Sequence, residues 1–286
     1  MKCTMGKLVG FCSGVQQAIK GTERALEENP VIYCLGEIIH NQRVIETLKH
    51  KGMVVVSNIE EVPDRSSFII RSHGLEKDTV RRAEEKNLRI YDFTCPKVKN
   101  THRLVSDLRK EGYNLIIVGN PQHPEVKAIR SLAGGGAQVI EQVEEVKTTS
   151  FVEKNAVVVQ TTFNPQCFSS IVSEVILRTY KTLVCTTLCE ETVKRQIEAV
   201  KLAGKVDFMI VVGGKNSSNT KTLCHILDGR VPVAHIEDAE EILHLDLERI
   251  QRIGIISGAS TPVEEVKKVC EKLRGYPKCG NAGATL

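Results

Sequence analysis

Three cysteines, Cys12, Cys95 and Cys189, each stand before a helix-like run, and counting from them lays the chain over itself. Gly36, Gly119 and Gly213 lie 24 residues after their respective cysteines, and His40, His123 and Ser217 lie 28 after. Between cysteine and glycine each copy holds an amphipathic stretch and then an apolar run: Val31–Leu35, Leu115–Val118 or Phe208–Val212. Each copy continues with a short strand (54–56, 138–140, 231–234), an acidic helix start and a third strand (68–70, 156–159, 253–256). Self-similarity at fixed offsets is the mark of repeated supersecondary units. Strands alternating with helical stretches of ten or more residues call for parallel sheets with right-handed crossovers.

The third strands run into polar exits: Arg71-Ser72-His73-Gly74, Gln160-Thr161-Thr162 and Ser257-Gly258-Ala259-Ser260-Thr261. Ligands gather beyond the carboxyl ends of parallel strands, so each unit offers a cysteine and two loops to one edge. The spacing predicts three similar α/β domains with small, mostly parallel sheets: 13–95, 96–188, and 189–286 with residues 1–12 as an N-terminal strand. The segment from Gly275 to Leu286 is turn-rich and aperiodic, and reads as an extension.

The balance of 39 basic and 35 acidic residues, +4 overall, is too weak to argue for nucleic acid, and 4% aromatics with no Trp leave little to stack on bases. No apolar run approaches the roughly 18 residues of a membrane span, and no signal peptide is legible, so a cytoplasmic location with no membrane partner is expected. Ten cysteines in such a setting are buried thiols or metal ligands rather than a disulfide framework. Cys34, Cys185 and Cys224 read as small buried hydrophobes, and Cys3, Cys167, Cys270 and Cys279 break the repeat.

A cysteine at a helix N-terminus sits where backbone N–H groups stabilise thiolate, the metal-binding form. Structural zinc takes paired ligands at short spacing, which is absent. An iron–sulfur cluster is large enough to take one thiolate from each of three domains, and a cubane held by three would keep one iron without a protein thiolate. The stretch 213–220 (GGKNSSNT) suits an anion-binding turn without the Walker spacing. Glu125, in His123-Pro124-Glu125-Val126, stands 30 residues after Cys95, where the other copies have Gln42 and Asn219; it is the member able to donate a proton.

Gly10-Phe11-Cys12-Ser13-Gly14-Val15, Gly36-Glu37-Ile38-Ile39-His40-Asn41, Ser72-His73-Gly74, Asp92-Phe93-Thr94-Cys95-Pro96, His123-Pro124-Glu125-Val126, Gln160-Thr161-Thr162, Cys189-Glu190-Glu191-Thr192 with Arg195-Gln196, Ser217-Ser218-Asn219-Thr220 and Gly258-Ala259-Ser260-Thr261-Pro262 together carry a family likeness. From about 10 to 270 the sequence closely resembles the LytB-type iron–sulfur reductases of the methylerythritol phosphate (non-mevalonate) route to isoprenoids, the 4-hydroxy-3-methylbut-2-enyl diphosphate reductases. The resemblance implies a pseudo-threefold trefoil around a central [4Fe-4S] cluster held by Cys12, Cys95 and Cys189. It implies two-electron removal of the substrate's allylic hydroxyl at the open iron, giving isopentenyl and dimethylallyl diphosphate.

By the family's pattern His40, His73, Ser217, Ser218, Asn219 and Ser260 hold the diphosphate with His123 beside it, Thr161 touches the hydroxyl end, and Glu125 delivers protons; either Thr161 or Thr162 could face the pocket. Reduced ferredoxin or flavodoxin is the expected electron donor and the chain is expected to be a monomer. Arg195 and Gln196 match the motif without an evident pocket role. Ser13, and Ile256-Ser257, depart from the family's usual residues, and local packing is where an effect is expected. Two alternatives use the same residues differently: a non-enzymatic cluster or metal sensor, which needs no Glu125 or Ser217-Ser218-Asn219, and a zinc hydrolase of phosphorylated substrates, which leaves the cysteine repeat unexplained.

Overall fold

The structure is a computed structural model that describes residues 1–134 and 136–275. The expected C-terminal extension beyond Gly275, with Cys279, lies outside the described residues. In chain order the elements are β1 (Lys2–Met5), α1 (Ser13–Glu28), β2 (Ile32–Leu35), α2 (Gln42–His50), β3 (Met53–Val56), β4 (Ser67–Ile70), α3 (Lys77–Glu85), β5 (Arg89–Asp92), α4 (Pro96–Lys110), β6 (Asn114–Val118) and α5 (Pro124–Ala133). Then follow β7 (Gln138–Ile140), β8 (Asn155–Val159), α6 (Pro165–Ile176), β9 (Thr182–Cys185), α7 (Glu190–Ala203), β10 (Phe208–Val212), α8 (Ser218–Leu227), β11 (Val233–Ile236), β12 (Arg252–Ser257) and α9 (Val263–Arg274).

The strands form three four-stranded sheets, ordered β3-β2-β4-β5, β7-β6-β8-β9 and β11-β10-β12-β1, with every pairing parallel. The order is the same in each. β1 is thus to the third sheet what β5 and β9 are to the other two: an edge strand that leads into the next cysteine.

The chain divides into two compact units, Ser13–Val193, which holds the first two sheets, and Met1–Cys12 with the chain from Lys194 onward, which holds the third. Central strands are apolar throughout because helices cover both sheet faces. Leu115 and Ile117 of β6 enter one buried cluster and Ile116 and Val118 the other, as a two-residue period requires. In β10, Ile210 and Val212 pack against α9 residues Val266 and Val269, and Met209 and Val211 against Ala199 and Leu223.

Three local expectations differ. The acidic starts at Ile59–Glu61, Val143–Thr148 and Glu240–His244 form 3₁₀ turns. The strand expected over 231–234 begins two residues later, because Pro232 has no N–H to give a ladder. The N-terminal strand spans only Lys2–Met5 of the first twelve residues.

Candidate active site

Each of the three cysteines makes the same backbone hydrogen bond. Cys95 N–H donates to Ser72 O at 3.0 Å, Cys189 N–H to Thr161 O at 2.8 Å, and Cys12 N–H to Ala259 O at 3.0 Å. At Cys95 and Cys189 these bonds continue the edge-strand pairing, at Cys12 the bond follows a loop after β1, and all three tie the thiol-bearing residue to the exit loop of the neighbouring third strand. Those exits hold His73, Thr161 and Ser260. The constant offsets have an equally local cause: residues 28 or 29 after the cysteines are helix N-caps, Asn41 for α2, His123 for α5 and Ser217 for α8. Their polar side chains accept from first-turn N–H groups that have no intrahelical partner.

Within the unit Ser13–Val193, Glu125 is 1% exposed in the first turn of α5. Its carboxylate accepts the Thr161 N–H at 2.7 Å and the Thr161 hydroxyl at 2.8 Å. Burial pushes the carboxyl up to about 7, with the two Thr161 bonds pulling in the opposite direction. Of the two threonines, Thr161 therefore turns its hydroxyl to the acid, while Thr162 Oγ1 accepts from Gln160 Nε2 at 2.9 Å.

His40, His73 and His123 come together in the same unit. His40 stacks on His73 at 5.1 Å between centroids, His123 meets His73 edge-on at 5.3 Å, and one ring nitrogen from each lies within 4.8 Å of the others. His123 Nδ1 accepts the Glu125 N–H at 3.2 Å, which leaves its proton on Nε2 as a donor. Burial first, and then the neighbouring imidazoles and Arg71, hold His73 well below the usual histidine range and His123 at about 3. Imidazoles so gathered can donate to an anion's oxygens, and their spacing would also suit the zinc ion of the hydrolase alternative.

In the other unit, Ser217 is 3% and Ser260 6% exposed, with Ser260 Oγ donating to Ser217 Oγ at 3.3 Å. Ser218 and Asn219 open α8. A Cβ on Gly258 would stand 2.2 Å from Thr220 Oγ1, and one on Gly213 2.6 Å from the same atom, so two glycines let the exits of β10 and β12 close around the start of α8. Hydroxyls at a helix N-terminus make an anion cradle.

Arg195, which had no evident role, is 6% exposed, and its Nη1 donates to Leu8 O at 2.8 Å. Glu198, one helical turn on, accepts the N–H groups of Lys7 and Leu8 at 2.5 and 2.8 Å. Together they clamp the segment leading to Cys12. Both departures from the family's usual residues are engaged nearby: Ser13 Oγ donates to Glu191 Oε2 at 3.1 Å, and Ser257 Oγ accepts the Gly10 N–H at 3.0 Å. Glu198 escaped the sequence reading because it belongs to none of the repeated positions.

The LytB protein family profile matches residues 4–274. The chain belongs to the LytB family. Among LytB relatives, the 4-hydroxy-3-methylbut-2-enyl diphosphate reductase of Clostridioides difficile (strain 630) is 37% identical over 279 residues, covering 96% of this chain and 100% of the relative. That of Aquifex aeolicus (strain VF5) is 39% identical over 275 residues, covering 92% and 94%. The solved E-1-hydroxy-2-methyl-but-2-enyl-4-diphosphate reductase from Plasmodium falciparum superposes with a TM-score of 0.90 at 29% identity, covering 97% of this chain and 89% of that one. A solved (E)-4-hydroxy-3-methyl-but-2-enyl diphosphate reductase, the terminal enzyme of the non-mevalonate pathway, gives 0.69 at 36% identity, covering 96% and 100%.

LytB membership implies an iron–sulfur cofactor in general, and the thiols suit one. Cys12, Cys95 and Cys189 are part-exposed and in no disulfide. Cys95 is the N-cap of α4, where burial raises its thiol, the N–H groups of Lys97 and Val98 lower it, and the charges of Cys189 and Glu125 raise it again. Two repeat cysteines and the buried acid thus share one electrostatic neighbourhood, whose mutual repulsion a cation-rich cluster would relieve. Cys34, by contrast, is fully buried with its thiol pushed up to about 12, as an inert core residue should be. No helix among the described residues is long and apolar enough to cross a membrane.

Proposed function

We propose that the chain is a 4-hydroxy-3-methylbut-2-enyl diphosphate reductase that converts (E)-4-hydroxy-3-methylbut-2-enyl diphosphate into isopentenyl and dimethylallyl diphosphate. The observation that carries this reading is the Glu125–Thr161–Cys189 relay: an acid with its carboxyl near 7, two hydrogen bonds and one residue away from a repeat cysteine. A cluster sensor has no use for such an acid, and a zinc hydrolase gives no reason for three cysteines with one backbone bond in common.

The reaction breaks the allylic C–O bond and forms a C–H bond, consuming two electrons and two protons and releasing water. A [4Fe-4S] cluster on Cys12, Cys95 and Cys189 supplies the electrons and a Lewis-acidic iron when bound. The protein's own residues do the rest. Glu125, half protonated near neutral pH, gives a proton to the departing hydroxyl, and its seat under Thr161 keeps it from rotating away. Thr161 has its hydroxyl at the same point and orients the substrate's hydroxyl end. His40, His73 and His123, with Ser217, Ser218, Asn219 and Ser260, hold the diphosphate through N–H and O–H donors.

The same reading assigns one domain to each sheet (13–95, 96–188, and 189–286 with 1–12), a monomeric cytoplasmic enzyme, and a reduced ferredoxin or flavodoxin as donor. Its test is anaerobic purification with iron and sulfide analysis, followed by assay of the hydroxylated diphosphate with a strong reductant. Bound iron and sulfide with release of both products is expected; a colourless protein with tightly bound zinc would overturn it.

A further inference from the structure

Among the donors proposed for the diphosphate, the serines and Asn219 carry no charge and burial holds His73 and His123 well below the usual histidine range, yet the ligand is a polyanion entering a half-buried site. Anions removed from water need a compensating charge as well as hydrogen bonds. One half-buried cation, Arg71, leads into the histidine cluster along the chain. Arg71 is the first residue after β4, two before His73. Gly36 begins the loop that ends at His40, with φ +68°, and a Cβ there would stand 2.5 Å from Arg71 Nη1. The guanidinium therefore lies against that loop's backbone, at a positive φ that favours glycine. Ser72 Oγ ties the same two loops together, donating to Ile38 O at 3.2 Å.

Arg71 Nε is buried without a hydrogen-bond partner among the described residues. The side chain lines a cavity of about 420 Å³ with Gly36, Glu37, Glu76 and Lys127. Burial lowers the guanidinium below its ordinary value and Cys34, then Glu37 and Glu76, oppose this, while its own charge acts on both His73 and His123. Arginine stays protonated under such pressure. It is thus a fixed positive charge whose Nε has no partner, two residues from His73 in the chain and packed on the loop that leads to His40.

We propose that Arg71 is the charged positioning residue of the diphosphate site: a guanidinium that offsets the ligand's charge through the histidines and braces the loops that carry His40 and His73. This rests on the diphosphate reading above. It assigns Arg71 no contact with the reacting atoms, so its removal acts on binding rather than on the chemical step.

The test is titration of the oxidised, cluster-loaded protein with inorganic diphosphate at two ionic strengths, alongside thermal unfolding, for wild type, Arg71→Gln, Arg71→Lys, Glu76→Gln and His73→Asn. Arg71→Gln weakens binding by about tenfold or more and flattens its salt dependence, the loss expected for one partly screened charge. Arg71→Lys keeps the charge and stays within about threefold of wild type. Glu76→Gln removes an opposing charge and tightens binding by about twofold, which decides the matter even where Arg71→Gln does not fold. Equal losses in the Lys and Gln variants would overturn the role of charge, as would wild-type affinity in Arg71→Gln or weaker binding in Glu76→Gln. If His73→Asn also binds diphosphate as wild type does, the diphosphate reading itself fails; loss there with unchanged Arg71 variants sinks only this inference.

Discussion

Thr161 grips Glu125 twice, with its N–H at 2.7 Å and its hydroxyl at 2.8 Å, while its carbonyl accepts the Cys189 N–H at 2.8 Å. One residue thereby fixes the acid relative to Cys189, a repeat cysteine proposed as a cluster ligand. An acid placed this way is oriented by the backbone of the strand exit, so its geometry is set before any ligand arrives.

Glu125→Gln keeps the shape and can still accept the Thr161 N–H, but it has no proton to give. Turnover should fall by about 10²- to 10⁴-fold, the usual worth of general-acid catalysis. Iron content and diphosphate affinity should stay at wild-type values. Steady-state assay with parallel iron analysis and diphosphate titration checks this, and unchanged turnover would remove Glu125 from the mechanism.

The same burial makes stability depend on pH. With the carboxyl raised from 4.5 to about 7, the folded protein binds more protons than the unfolded chain between those values, so stability falls as pH rises through that window. Relative to wild type, Glu125→Gln should be more stable at pH 8 by up to about 3 kcal/mol, with the difference gone below about pH 4. Unfolding midpoints of the two proteins measured from pH 4 to pH 8 decide it. Parallel curves would place the carboxyl at its ordinary value.

Much of this organisation is legible in the sequence because the offsets from Cys12, Cys95 and Cys189 are set by local structure: a helix, a strand and an N-cap of nearly constant length. What escaped has physical reasons. β5 and β9 are edge strands whose residues, Arg89–Asp92 and Thr182–Cys185, are mostly half-exposed and make no continuous apolar run. Thr161 and Thr162 cannot be told apart by counting, since the exit from β8 decides which hydroxyl turns inward. Arg71 hides beside a histidine motif, and only the packing against Gly36 reveals where its charge lies.

The Arg195 clamp gives a cofactor-retention prediction. Arg195→Met leaves the Leu8 carbonyl without its charged donor, a loss of about 1.5–3 kcal/mol for such a bond. The segment before Cys12 should loosen, and iron per chain after anaerobic gel filtration should drop well below wild type. Full iron occupancy would show that the clamp is dispensable for holding Cys12.

Gly258→Ala tests the anion cradle. The new methyl would overlap Thr220 Oγ1 at 2.2 Å, so the exit of β12 must shift, at a cost of roughly 1–3 kcal/mol. Thermal unfolding should register that loss, and KM should rise more than kcat falls because Ser260 is displaced. A wild-type KM would show that Ser260 does not bear on the diphosphate.

Iron and acid-labile sulfide per chain, measured anaerobically in Cys12→Ser, Cys95→Ser and Cys189→Ser beside Cys34→Ser and Cys224→Ser, test the central claim most directly. The first three should lose the cluster and all reductase activity, and the last two should keep both. A full complement of iron and sulfide in any of the first three would contradict the account.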